Sequence, residues 1–166
     1  MDIVIREALA AEYEELGEIT ARAYLGDGLL TYGEEDPYLA RLRDVAGRAA
    51  DSEILVAARS DGQLLGGVAF APPGSSFRDI AGPDEAEFRM LAVAREGRGR
   101  GAGEALVRAC IGRARAVEGV RRLVLSTTDE MPAAHRIYER LGFARTPARD
   151  WEPFPGLVLL TYGLEL

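Results

Sequence analysis

EFRMLAVAREGRGRGAGEALVRACIGRARAVEGVRRLVLS, residues 87–126, decides the architecture. Its opening, Glu87 to Ala94, is an apolar run of strand length, and its close, Val120 to Ser126, is another. Between them Ala105, Leu106, Ala109, Cys110, the stem of Arg113 and Val117 recur at helical spacing, entered through glycines at 97, 99, 101 and 103 and ended near Glu118-Gly119. Two strands joined through a helix over so short a distance make a parallel crossover unit.

Outward from that unit the pattern changes. Ile3 to Arg6 reads as a strand, and Ala10 to Tyr24 as a helix with Tyr13, Leu16, Ile19, Ala23 and Tyr24 on one face. Gly26-Asp27-Gly28 breaks it, and Asp36-Pro37 opens a second helix expected to run to about Ala49. Glu53–Arg59 and Gln63–Phe70 flank Ser60-Asp61-Gly62, a hairpin signal because Asp-Gly takes positive φ readily. Residues 72–83 hold too many breakers for regular structure and are expected to be a mobile loop. Met131 to Leu141 is a further helix stopped by Gly142, and short strands follow near 143–145 and 157–164, with Trp151 to Gly156 as their connection. The expectation is a mixed α/β fold: a mostly antiparallel central sheet of six or seven strands, one splayed parallel pair, and about four flanking helices.

Composition bounds the rest. The chain has 166 residues, 48% of them apolar and 28% charged, which suits one domain over 1–166 with a core large enough to need no disulfide or metal. One cysteine and one histidine leave no zinc-type ligand set. The first residues lack the pattern of a signal peptide, and no stretch is apolar enough for a membrane span, so a cytoplasmic protein without a membrane partner is expected. All 20 basic residues are arginine. Residues 1–87 carry 18 Asp/Glu against 7 Arg, and residues 88–166 carry 9 against 13, so the halves differ in sign, −11 against +4. A basic half suits a phosphorylated ligand and an acidic half a cationic one; two ordinary solvated surfaces account for the split equally well. The acidic total, −7, argues against nucleic acid.

The chemistry concentrates in the glycine loop. Glycine at every second position costs entropy on ordering, and what it allows is close approach of a ligand to backbone N–H groups. At a helix N-terminus beside Arg98 and Arg100, those groups form a cradle for a pyrophosphate. The Gly-Lys-Ser/Thr ending of a P-loop is missing, a GxGxxA dinucleotide fingerprint over Gly97, Gly99 and Ala102 stands in the wrong part of the chain, and the remaining alternative is a flexible turn.

Arg98-Gly-Arg-Gly-Ala-Gly103 resembles the [Gln/Arg]-x-x-Gly-x-[Gly/Ala] acyl-CoA loop of the GNAT superfamily of N-acetyltransferases. Met90-Leu-Ala-Val93 before it resembles the family's strand, and Ala134-His-Arg-Ile-Tyr138-Glu-Arg-Leu-Gly142-Phe143 resembles its A-x-x-x-Y-x-x-x-G-F signature. These motifs cover residues 87–143, and element order extends the likeness to nearly the whole chain. The resemblance implies an acetyl-CoA cosubstrate, no metal, and direct transfer to a primary amine of a small molecule or peptide. It implies that the pyrophosphate sits on the backbone of Arg98, Gly99, Arg100, Gly101, Ala102 and Gly103. The pantetheine arm would then lie along Leu91, Ala92 and Val93, whose backbone is freed where the strands splay. Ala134 and Met131 fall against the same arm, Met131 standing where many relatives have Asn. Tyr138 takes the place of a tyrosine near the CoA sulfur, and Glu87, eleven residues before Arg98, that of a glutamate base. The N–H of Leu91 or Ala92 takes that of a donor to the thioester carbonyl.

Competing readings stand beside these. Tyr138 also fits an ordinary core aromatic, and Glu87, Asp84 and Glu85 fit a solvated acidic loop. Cys110 reads as a small core residue and His135 as an exposed helical one. Fold-level analogy places Trp151, Phe154, Tyr24, Tyr32, Tyr38 and Phe77 toward an acceptor, while core packing explains them equally well. A non-catalytic acyl-CoA-binding domain is the alternative function. Homodimers are common among such relatives, and no patch in the sequence marks an interface.

Overall fold

The computed structural model describes residues 2–166 and builds eight strands and five α-helices from them. β1 (Ile3–Glu7), β2 (Glu53–Arg59), β3 (Leu64–Ala71) and β4 (Glu85–Val93) pair antiparallel in succession. β4 then pairs parallel with β5 (Arg122–Thr127), and β5 antiparallel with the last strand, β8 (Leu157–Glu165). β6 (Ala144–Arg145) lies beyond β8, giving the order β1-β2-β3-β4-β5-β8-β6, and β7 (Trp151–Phe154) folds onto the first residues of β8.

This is the mixed, mostly antiparallel sheet with one parallel pair that the sequence implies. The strand missed in the sequence is β7, because Pro153 and Pro155 argue against pairing. Only Trp151↔Leu159 and Phe154↔Leu157 are in register, with an irregularity between them that accommodates Pro153, and Gly156 turns the hairpin at φ +90°.

Helices cover both faces. α1 (Tyr13–Gly26), α2 (Tyr38–Arg43) and α3 (Val45–Ala49) pack on one side, where Leu16 and Val45 meet Ile54, Val56, Ala58 and Ala69. On the other side α4 (Ala102–Ala116) sets Leu106, Val107 and Cys110 against Leu55, Leu65, Phe70 and Phe88, and α5 (Pro132–Arg140) closes that cluster with Tyr138. Burial on both faces is why β2 and β3 read as unbroken apolar runs rather than alternating ones. Each buried leucine there contributes about 1.5–3 kcal/mol.

The expected single helix from Asp36 to Ala49 is broken. Asp44 sits at φ −84°, ψ 67°, outside the helical region, and its Oδ1 accepts the Gly47 N–H at 2.9 Å, which restarts the chain as α3. Arg48 returns from α3 to satisfy the end of α2, donating from Nη1 to the Arg41 carbonyl at 2.9 Å and from Nη2 to that of Leu42 at 3.0 Å. The break lets α2 end against α1 at Gly17, where a Cβ would stand 2.6 Å from the Arg43 oxygen.

β3 and β4 meet as closely at Gly66, which pairs with Val93; a Cβ there would run into the Ala92 carbonyl oxygen. Gly66→Ala should lower stability by at least about 2 kcal/mol, read as a denaturant midpoint shift. Gly112→Ala, on the open face of α4 with nothing near its Cβ, should instead raise stability by up to about 1 kcal/mol.

Candidate active site

The parallel pairing of β4 with β5 is short. It joins Glu85, Ala86 and Glu87 to Arg122, Leu123 and Val124 and then stops, although β4 continues to Val93 and β5 to Thr127. From Phe88 to Val93 the β5-facing edge of β4 has no strand partner. On its other edge β4 bulges: Gly67 pairs with Ala92 and Ala69 with Arg89, so Met90 and Leu91 oppose the single residue Val68. Met90 takes up the extra length at φ +58°, a conformation that costs an L-residue of this kind about 1–3 kcal/mol. Its side chain packs under α1 and α2 with Leu39 and Leu42, while Leu91 and Val93 pack toward α4. Leu91, Ala92 and Val93 therefore lie on the open arm of a fork between β4 and β5.

The glycine loop crosses the end of that fork, and its glycines have different causes. Gly97 is favoured by packing, since a Cβ would stand 3.0 Å from the Leu65 Cβ and push it aside. Gly99 and Gly101 hold φ +73° and +86° with open space around them. Gly103 lies in the first turn of α4, where a Cβ would only touch Ile137 and Val93. The N–H groups of Gly99, Arg100 and Gly101 find no backbone partner among the described residues, and no side chain caps α4. With the first-turn N–H groups of Ala102 and Gly103, they form a row of unsatisfied donors at the positive end of a helix. A pyrophosphate suits that row by charge and hydrogen bonding. Arg100 is exposed, while Arg98 is held by Asp27, the C-cap of α1, through Nη1–Oδ1 at 3.0 Å and Nη2–Oδ2 at 3.2 Å.

Tyr138 stands in the crotch of the fork. Its ring centroid is 5.9 Å from that of Phe88, the first β4 residue past the last β5 pair, and 5.7 Å from that of Tyr162 on β8. The residue is buried, burial pushes its phenol pKa above the ordinary value, and the hydroxyl has no hydrogen-bond partner among the described residues. Met131 is the N-cap of α5, with Sδ 3.7 Å from the Thr127 hydroxyl, and Ala134 is half-buried one turn before Tyr138. His135 is not the exposed helical residue expected: its Nε2 lies 2.7 Å from the Thr128 carbonyl, and its ring packs on Tyr162. Ser126 is engaged by Trp151, whose Nε1 donates to Oγ at 2.9 Å. Cys110 is buried in the core beneath α4, and burial pushes its thiol up.

The three acidic residues at the start of β4 separate cleanly, and they do not form a solvated acidic loop. Asp84 is exposed. Glu85 is an ion-pair hub, with Arg122 at 2.8 Å and Arg149 at 2.7 Å, which hold its carboxyl at about 2 despite burial. Glu87 is fully buried without a cation in contact. Its Oε1 accepts the N–H groups of Asp79, Ile80 and Ala81 at 2.9, 2.9 and 3.0 Å, and its buried Oε2 has no partner. Burial outweighs the three N–H donors and raises its pKa.

The segment at 72–83 is irregular, as its breakers imply, and part of it is anchored: Gly82 N–H donates to Glu85, Arg89 donates to the Phe77 carbonyl, and Arg149 donates to the Ile80 carbonyl, so residues 77–82 are held against β4 and Arg149. Asp27, Asp79, Arg89 and Arg149 were not among the expected site residues; they come from distant segments, and no local pattern announces them.

Residues 12–143 match the model of the acetyltransferase (GNAT) family. No curated protein matches the chain. Among solved structures, a GNAT-family acetyltransferase from Staphylococcus aureus superposes with a TM-score of 0.76 at 17% identity, covering 99% of both chains. A ribosomal-protein-alanine N-acetyltransferase from Brucella melitensis gives 0.72 at 25% identity over 98% of this chain and 99% of its own. A phosphinothricin acetyltransferase from Sinorhizobium meliloti, crystallised with AcCoA, gives 0.71 at 23% identity over 100% and 89%.

The Glu85 hub sets an acid-stability prediction. A carboxyl held below its unfolded value contributes stability that is complete above about pH 5 and is lost as pH falls toward 2. Glu85→Gln should be less stable at neutral pH and decline less steeply over that range, read from urea midpoints against pH.

Proposed function

Because the chain belongs to the acetyltransferase (GNAT) family, we propose that it acts as one catalytic domain transferring an acetyl group from acetyl-CoA directly to a primary amine. The observation that carries this reading is the fork itself: a strand edge left unpaired over Phe88–Val93, leading from a row of unsatisfied N–H groups to the free hydroxyl of a largely buried tyrosine.

Acetyl-CoA supplies an activated thioester, with no need for a metal. In this reading the N–H groups from Gly99 to Gly103 hold the pyrophosphate, the Arg98 N–H being taken by the Arg95 carbonyl, and the freed backbone of Leu91 and Val93, on either side of Ala92 whose carbonyl faces β3, pairs with the pantetheine amides. An N–H of Leu91 or Ala92 polarises the thioester carbonyl, a contribution of about 3 kcal/mol per donor. Met131 and Ala134 flank the arm from α5.

Glu87 serves as base through Oε2, the one carboxylate oxygen not committed to the 79–81 amides. Its raised pKa matches a group that must take a proton from an ammonium. The amine lone pair then attacks the carbonyl carbon, and the carbon–sulfur bond breaks. Tyr138 meets the departing sulfur as a hydrogen-bond donor. Burial raises the phenol further above a thiol's ordinary pKa of about 8.5, so donation without full proton transfer is its natural role.

Calorimetry should show micromolar acetyl-CoA binding, and an amine and peptide panel should show thiol release; binding without release from any acceptor would favour a non-catalytic acyl-CoA-binding domain. Tyr138→Phe should lower kcat by about 10- to 1000-fold with acetyl-CoA affinity little changed. An unaltered rate would return Tyr138 to a packing role.

Glu87→Gln separates chemistry from folding. A carboxyl whose folded pKa is raised loses stability as pH climbs from its unfolded value through the folded one, so at pH 7 the buried charge is a burden. The amide oxygen can still accept the three N–H bonds. Melting temperature at pH 7 should therefore hold or rise, while kcat falls by about 100-fold or more and the acidic limb of the rate profile disappears.

A further inference from the structure

Past Glu87 the same face of β4 presents Arg89, two residues or about 7 Å along the strand. Its guanidinium lies 4.1 Å above the Phe77 ring, donates from Nη1 to the Phe77 carbonyl at 3.0 Å and pairs through Nε with Asp79 at 3.1 Å. Its Nη2 has no partner among the described residues.

Three other donors converge on it. Tyr24 of α1 and Tyr38 of α2 pack into the cluster of Leu39, Leu42 and Met90 with Phe77, the ring beneath Arg89, and Arg48 of α3 donates to the Leu42 carbonyl of the same cluster. The Tyr24 hydroxyl has no partner, Tyr38 reaches only the Met90 sulfur at 3.9 Å, and Arg48 Nε is free while its other nitrogens cap α2. Arg48 is 6% exposed and touches no carboxylate. In direct contact with this cluster of two guanidinium groups and two phenols is one carboxylate, the exposed Asp79 on Arg89, while Asp44 and Glu87 lie nearby without an ion pair to it. Partly exposed donors in such excess over acceptors suit an anionic oxygen ligand, because hydrogen bonds to a charged oxygen are the stronger ones.

Arg89 follows Glu87 on the same face of β4, so the donor cluster adjoins the proposed base. Resting on the acetyl-transfer reading above, we infer that the acceptor carries an oxyanion beside its amine. It is a free amino acid or a close analogue, its amine directed to Glu87 and its carboxylate to the open edge of Arg89 with the Tyr24 and Tyr38 hydroxyls. A polycation such as a polyamine would meet the half-buried Arg89 and the buried Arg48 and is excluded from this site.

The test is thiol release at saturating acetyl-CoA from the twenty L-amino acids, each offered as the free acid, the primary amide and the decarboxylated amine. For the best side chain the free acid should exceed both other forms by at least about 30-fold in kcat/KM. In Arg89→Gln that ratio should collapse to within about 3-fold, with acetyl-CoA affinity retained as evidence of folding. Tyr24→Phe, a smaller change at a half-buried position, should narrow the ratio in the same direction if Arg89→Gln does not fold. Amides or amines accepted as well as acids, a ratio unmoved by both variants, or no amino acid accepted in any form would overturn the inference. The first two outcomes leave the acetyltransferase reading standing; that reading fails separately, if the wild-type protein binds no acetyl-CoA.

Discussion

A parallel ladder that ends after three residue pairs governs the molecule. β4 and β5 are joined only from Glu85 to Glu87, and everything of chemical interest lies on the far side of that last pair. Strands that part inside a sheet leave N–H and C=O groups unpaid, and the protein keeps them apart with specific devices. The bulge at Met90 turns β4 aside at the cost of a positive φ, Phe88 and Tyr162 wedge Tyr138 into the gap, and the glycine loop closes its end. Each holds open a space that ordinary sheet formation would close.

Much of this was legible in the sequence because its signals are local. The hairpin announced itself by Asp61-Gly62, the crossover by two apolar runs around a glycine-led helix, and the end of α5 by Gly142, which indeed holds φ +97°. The four glycines at 97–103 were readable as a group, although only the coordinates separate Gly97, favoured by packing on Leu65, from Gly99 and Gly101, needed for backbone conformation. What escaped depends on partners far along the chain. Asp44 breaks a helix that periodicity would continue, β7 pairs across two prolines, and His135 finds the Thr128 carbonyl just past β5. The burial of Glu87 was hidden most deeply, since a glutamate in an acidic stretch gives no sign that three loop amides will enclose it.

Electrostatics follows the same division. The sign difference between the halves of the chain is a bulk property, whereas the site is organised by the pleat of one strand. Glu85, Glu87 and Arg89 share a face of β4 by simple alternation. One is neutralised by two arginines, one is enclosed without a cation in contact, and one keeps a free edge. Three ionisable groups at successive positions thus meet three different environments, which a count of charges cannot distinguish.

The same three side chains fasten loop 72–83 rung by rung: Glu85 takes the amide of Gly82, Glu87 those of Asp79 to Ala81, and Arg89 the carbonyl of Phe77. Residues 77–82 and the strand are therefore joined through these three side chains. Grafting a different loop here, a common route to new specificity in enzymes whose loops hang free, would strip Glu87 of its hydrogen bonds and redirect Arg89 in one stroke. Variation in what this fold accepts is better sought from the helical side, at Tyr24 and Tyr38, where side chains can change without unfastening the strand.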